Sequence, residues 1–211
     1  MTDRQSIKVG VVGSGKGSNF VAIAEAASRN EIPADVVLVL SDVPDAGILN
    51  HARKRGIEAR YIPPGKFRTR LDEASEELYI QALRQAGVEL VVLAGFMRII
   101  KGAFLRAFPR RILNIHPSLL PAFPGLQAWR QAWEHGVKFT GCTVHFVDEG
   151  MDTGPIIGQR VVPVMSGDTP ESLHERIQVA ERELYPAVVA RIAFGTIACE
   201  GRRTFDPTQR A

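Results

Sequence analysis

The chain has 211 residues, 45% of them hydrophobic and 23% charged, with a formal net charge of +3. That length fits one domain and buries roughly 70% of the unfolded surface, so no disulfide or metal staple is needed, and the balanced composition excludes disordered, collagen-like and repeat classes. No apolar run approaches the roughly 20 residues that cross a bilayer, Met1 to Ser6 are polar rather than a secretory signal, and the dispersed basic residues suit a substrate carrying phosphate and carboxylates as well as a nucleic acid, so net charge decides little.

Ile7 to Val12 is a β-branched apolar run, which predicts a strand covered on both faces. Ser18 to Ser28 predicts a helix with Phe20, Ile23, Ala24 and Ala27 on one stripe, and Val36 to Leu40 a second buried strand. A helix over Gly47 to Arg55, a strand over Ala59 to Ile62 and a long helix over Phe67 to Ala86 follow, the last with Leu71, Leu78 and Leu83 toward a core. Leu90 to Ala94 and Ile112 to Ile115 are further buried strands. This alternation predicts an α/β fold: an open, mostly parallel twisted sheet with helices on both faces and right-handed crossovers. After Pro117 the texture changes. A helix over Leu126 to His135 precedes strands at Thr140 to Val147 and Ile156 to Val164, a C-terminal antiparallel extension joined by Asp148 to Pro155. Asp168 or Thr169 caps a last long helix with Pro170 at its first position. The expectation is a single domain over residues 1–200, with 201–211 a polar, poorly ordered tail.

Two stretches carry chemistry. Gly13-Ser14-Gly15-Lys16-Gly17-Ser18-Asn19 joins the first strand to the first helix, where glycines admit a close ligand and free N–H groups favour an anion. A Walker A loop starting at Gly10 fails, because position 17 is Gly17 rather than Ser or Thr. A dinucleotide fingerprint lacks its third small residue at Ser18, although Asp42 follows the second strand where a ribose-binding acid could sit. A monophosphate is the expected ligand. The second stretch is Asn114-Ile115-His116-Pro117-Ser118-Leu119-Leu120-Pro121. Alternate residues of a strand share a face, so Asn114 and His116 point the same way at its carboxyl end, where ligands bind in such sheets. Histidine carries protons and asparagine offers an amide N–H to a developing oxyanion. Asp152, in Asp148-Glu149-Gly150-Met151-Asp152-Thr153-Gly154-Pro155, supplies a carboxylate that favours a protonated histidine and relays protons. Taken singly, either His116 or Asp152 reads better as structural. Cys142 and Cys199 make no zinc site by themselves.

These segments, with Leu93-Ala94-Gly95-Phe96-Met97-Arg98-Ile99-Ile100, resemble the glycinamide ribonucleotide formyltransferase family in order and spacing from about Ile7 to Gly195. The resemblance implies a Rossmann-like formyltransferase fold and a transfer of the formyl group of 10-formyltetrahydrofolate to the amine of glycinamide ribonucleotide in purine synthesis, without a metal. By that resemblance Asn114, His116 and Asp152 are catalytic, acting on a tetrahedral intermediate, and Gly17, Ser18 and Asn19 hold the phosphate. Glu181 contacts the ribose hydroxyls with Gln178 assisting, while Arg70, Met97, Arg98, Ile99 and Ile100 take the folate. Val147, Asp148, Glu149, Gly150 and Met151 surround its pteridine. Phe123, Gln127 and Gly150 depart from the family pattern without touching a transferred role. The implied setting is cytoplasmic, as a monomer or homodimer, with no nucleic-acid or membrane partner.

The nearest alternative is formyltetrahydrofolate deformylase, a hydrolase that shares the Asn–His–Asp trio but usually carries an extra N-terminal domain. Methionyl-tRNA formyltransferase normally adds a C-terminal RNA-binding domain, for which too little chain follows. A non-catalytic module on the same scaffold would be expected to lack one of the three residues.

Overall fold

The computed structural model describes residues 6–209, so the expectations for the start of the polar N-terminus and for the last two residues lie outside the described part. The chain divides into two compact units, residues 1–113 and 114–211. The first holds β1 (Ile7–Val12), α1 (Ser18–Ser28), β2 (Ala34–Ser41), α2 (Gly47–Lys54), β3 (Glu58–Tyr61), α3 (Glu73–Gln85), β4 (Leu90–Leu93) and α4 (Gly102–Ala107). β1 pairs in parallel with β2 and with β4, and β2 in parallel with β3. The chain therefore steps from β1 outward to β3 and returns to the other side of β1 with β4. That reversal falls between β1 and β4, whose carboxyl ends are the usual ligand position in an open α/β sheet. The two strands are buried almost throughout, which explains their continuous apolar runs. Gly10 is a packing glycine: a Cβ there would lie 2.5 Å from the Leu83 side chain of α3.

α3 is shorter than its predicted span of Phe67 to Ala86. Asp72, in extended conformation, accepts from Ser75 N at 2.9 Å and from Lys66 N at 3.1 Å, so it caps the helix and pins the segment before it. With the start fixed at Glu73, the buried stripe runs through Ser75, Tyr79, Ala82 and Leu83. Leu78 stands about 100° around the helix from Tyr79 and is exposed, against its expected place in the core. The helix α4 had no counterpart in the sequence reading; it is two turns built around the buried Phe104.

β5 (Ile112–His116) spans the boundary and leads into the second unit, with α5 (Ala128–Glu134), β6 (Phe139–Phe146), β7 (Ile156–Pro163), α6 (Pro170–Ala193), β8 (Ala198–Glu200), β9 (Arg203–Phe205) and the 3-10 turn Pro207–Gln209. The hydrogen-bonded order of the main sheet is β3-β2-β1-β4-β5-β6-β7, mostly parallel with an antiparallel β6–β7 end, as expected. α6 begins with a reciprocal cap between Thr169 and Ser172 and has Pro170 in its first turn. Residues 201–209, expected to be irregular, instead supply the β9 arm of an antiparallel hairpin with β8. Thr204 Oγ1 donates to Ile156 O at 2.6 Å, which ties that hairpin to β7.

Candidate active site

In the first unit, the glycine loop after β1 is set by packing as much as by any ligand. A Cβ on Gly13 would lie 2.6 Å from Ala94 O, and one on Gly17 would lie 2.8 Å from Ile48. Gly17 also takes a φ of +84°, which favours glycine. Gly17 precedes α1 without a side-chain cap, so the N–H groups at the helix start, around Ser18 and the buried Asn19, point out of the element. The loop after β4 meets this one: Ser14 N donates to Gly95 O at 3.1 Å, and Met97 N to Ser14 Oγ at 2.9 Å. Met97 is 62% exposed and Ile99 37%, whereas Ile100 is buried, so its side chain belongs to the core. Ile99 N bonds Thr69 O at 2.9 Å and pairs Arg70 with Ile99, so two stretches expected at one ligand do adjoin. Asp42, weighed as a ribose-binding acid, is buried and accepts from Arg98 Nε at 2.7 Å. That contact occupies it and leaves the dinucleotide reading without its acid.

In the second unit, β5 delivers Asn114 and His116 on one face, and the β6–β7 loop delivers Asp152 to them. His116 Nδ1 lies 3.4 Å from Asp152 Oδ2. His116 Nε2 lies 2.8 Å from Phe123 O. A carbonyl only accepts, so Nε2 carries a proton there and Nδ1 is the nitrogen that exchanges one with the carboxylate. Gly125 N donates to the same Asp152 oxygen at 2.8 Å, and Asp152 itself sits at a φ of +54°. A non-glycine residue in that region marks a place where the surroundings impose the conformation. The loop before it is closed on itself: Asp148 Oδ1 accepts from Gly150 N and Thr153 Oγ1, and a Cβ on Gly154 would strike Phe146 O at 1.7 Å. Val147 and Asp148 are half-buried, while Glu149, Gly150 and Met151 are exposed.

His145, near the end of β6, joins this group although the sequence reading passed over it. Its Nε2 lies 3.3 Å from Asn114 Nδ2 and 3.8 Å from Asp152 Oδ1, and its Nδ1 lies 2.9 Å from Phe146 O. Burial lowers its pKa below 6.5 despite the opposing pull of Phe146 O and Asp152. The ring is therefore neutral with its proton on Nδ1, and Nε2 accepts one N–H of Asn114. The available signal was alternation, since Thr143 and His145 face the same side of β6. Ser118 Oγ donates to Ala122 O at 2.5 Å, which leaves it a turn-holding hydroxyl. Cys142 is equally inert, with burial pushing its thiol up to about 12.

On α6, Glu181 is buried and Gln178 lies a turn earlier. Gln178 Nε2 is 3.3 Å from His174 Nε2, and the His174 ring stacks on Trp129 at 3.7 Å and 3°. Gln178 is thus held by a flat aromatic pair rather than projecting freely.

A family model described as formyl transferase matches residues 7–189. The phosphoribosylglycinamide formyltransferase of Bacillus subtilis is 44% identical over 88% of this chain and 94% of its own length. The enzyme of the same name from Escherichia coli is 42% identical over 87% and 86%. The crystal structure of glycinamide ribonucleotide transformylase 1 from Symbiobacterium toebii superposes with a TM-score of 0.92 at 48% identity, covering 96% of this chain and 94% of that one. A formyltetrahydrofolate deformylase from Pseudomonas syringae shares the fold, at a TM-score of 0.88, but only 24% identity. The chain belongs to the formyl transferase family, as a phosphoribosylglycinamide formyltransferase of purine biosynthesis.

Proposed function

We propose that the chain moves the formyl group of 10-formyltetrahydrofolate to the amine of glycinamide ribonucleotide by direct attack, with Asn114, His116 and Asp152 as the reacting set. The observation that carries this reading is the pairing of His116 Nδ1 with Asp152 Oδ2 at 3.4 Å beside an Asn114 amide already turned by His145. The amine attacks the formyl carbon and the carbonyl oxygen becomes negative. The second N–H of Asn114 and a positive His116 ring stabilise that oxygen. Asp152 holds the proton at His116 Nδ1 and helps carry the amine proton to the folate nitrogen, whose bond to the formyl carbon breaks as the oxyanion collapses and tetrahydrofolate leaves. No covalent enzyme intermediate is required.

The phosphate of the ribonucleotide takes the Gly17, Ser18 and Asn19 loop, which the uncapped start of α1 supports. Glu181 takes the ribose hydroxyls with Gln178 beside it. Arg70 and the Met97–Ile100 segment are the folate-binding stretch of the first unit, and the Val147 to Met151 loop is that of the second. Exposed Met97 and Ile99 support this reading in the first unit and exposed Met151 supports it in the second, each a large apolar side chain that a flat ring system would cover. A cytoplasmic location, as a monomer or homodimer, accompanies this reading; among the described residues no helix is long and apolar enough to cross a membrane.

Replacing His116 by Ala or Asp152 by Asn is expected to lower turnover by about 100-fold or more, the loss typical of one such electrostatic group. Thermal unfolding of each variant verifies that it folds. A folded His116→Ala protein with full formyl transfer would contradict the assignment.

A further inference from the structure

Between β3 and α3 the chain runs from Ile62 to Asp72 without regular structure, and its middle, Lys66-Phe67-Arg68-Thr69-Arg70, is basic and largely exposed. An exposed segment of this kind is normally mobile, yet this one is fastened at both ends. Asp72 accepts from Lys66 N at one end. At the other, Arg98 reaches out of the β4–α4 loop: its Nη1 donates to Phe67 O at 3.0 Å and to Arg68 O, while its Nε donates to Asp42 Oδ2 at 2.7 Å. The Asp42 side chain is 1% exposed, and its other oxygen has no hydrogen-bond partner. The guanidinium is thus held from behind by a buried carboxylate through Nε and bonds two backbone carbonyls through Nη1. Within the segment, Arg70 stacks over Phe67 with Cζ 3.9 Å from the ring centroid, and Thr69 O receives Ile99 N.

We propose that Arg98 and Asp42 form a latch that fastens the Phe67–Arg70 strap onto Met97–Ile100, making Arg98 a positioning residue for the cosubstrate site rather than a ligand-contacting charge. The inference rests on the reading of Arg70 and Met97–Ile100 as the folate-binding stretch. It follows from donor geometry. A guanidinium offers donors in a fixed fork, so one side chain bonds a carboxylate and two carbonyls together, whereas an ammonium on a flexible stem satisfies the carboxylate and releases the carbonyls. Arg98→Lys therefore keeps the buried charge of Asp42 matched while opening the latch, and it is the variant least prone to unfold. Asp42→Asn opens it from the other side, at a residue outside the reacting set.

The strap and the residue before it carry three trypsin sites, Lys66, Arg68 and Arg70, which gives a readout independent of activity. In the ligand-free protein, native trypsin cleavage at these sites, located by mass spectrometry, is expected to speed up by about tenfold in Arg98→Lys and Asp42→Asn, with cleavage elsewhere unchanged. In both variants KM for 10-formyltetrahydrofolate should rise about tenfold while kcat and KM for the ribonucleotide stay within a factor of two. The double variant should be no worse than either single one, because both act on one device. Unchanged strap cleavage in both variants would overturn the latch. Faster cleavage with an unchanged folate KM would overturn its service to the cosubstrate site. A wild-type protein that transfers no formyl group would sink the functional reading instead, and the cleavage rates would still decide the latch.

Discussion

Asn114 has two amide hydrogens, and His145 takes one of them at 3.3 Å. Because burial keeps the His145 ring neutral and Phe146 O holds its proton on Nδ1, only one orientation of the Asn114 amide satisfies the pair. The second N–H is left aimed by default, which is how a side chain with a freely rotating amide becomes a preorganised donor. The expected test is a comparison of two replacements. His145→Gln keeps an acceptor at the Nε2 position and should retain most of kcat, whereas His145→Leu should lower it by about tenfold or more through lost orientation. Equal kcat in the two variants would remove His145 from the account. In the sequence, Asn114, His116 and Asp152 stood out because each lies in a recognisable stretch. His145 did not, since a histidine inside an apolar strand looks like filled core until its neighbours across the sheet are known.

At the scale of elements, the glycine loop shows how a packing requirement and a binding requirement fall on the same residue. Gly17 must be glycine to hold its φ of +84° and to let α2 approach at Ile48. Gly17→Ala is expected to strain the turn, by about 1–3 kcal/mol from overpacking alone, and to shift the start of α1. Thermal unfolding should record the destabilisation, and KM for the ribonucleotide should rise more than KM for the folate. An equal rise in both would detach the loop from the phosphate. The element boundaries that the sequence reading placed well, such as α1 and β1, are those decided by local apolar periodicity. The start of α3 was misplaced by six residues because tertiary ties decide it: Phe67, Arg68 and Thr69 give their carbonyls to Arg98 and Ile99 instead of to a helix. Those partners lie about thirty residues away along the chain, beyond any window of periodicity.

For the whole molecule, the buried His145 and the half-buried His174 both oppose acidification. His145 and His174 are both pushed below the ordinary value of 6.5 by burial. As pH falls below 6.5, the unfolded chain binds protons at these positions that the folded chain refuses, so the unfolded state gains. Their contribution is complete above pH 6.5 and is lost progressively below it. Melting temperature should therefore fall on acidification from pH 6.5, and His145→Gln should flatten that dependence. An identical acid profile in the variant would show that the ring is not held neutral by the fold. The parallel sheet and its antiparallel end were legible as a whole because alternating strands and helices leave few topologies open. The identity of the acceptor was not legible from the Asn–His–Asp set, which fits hydrolysis as well as transfer, and it depends on the phosphate loop and Glu181.

That dependence defines the measurement that bears most directly on the central claim. Purified protein is incubated with 10-formyltetrahydrofolate, and tetrahydrofolate release is followed with and without glycinamide ribonucleotide. Release is expected only when the ribonucleotide is present, with one formylated ribonucleotide formed for each tetrahydrofolate. Release at a comparable rate without the ribonucleotide, with free formate as the product, would contradict it and assign the site to hydrolysis.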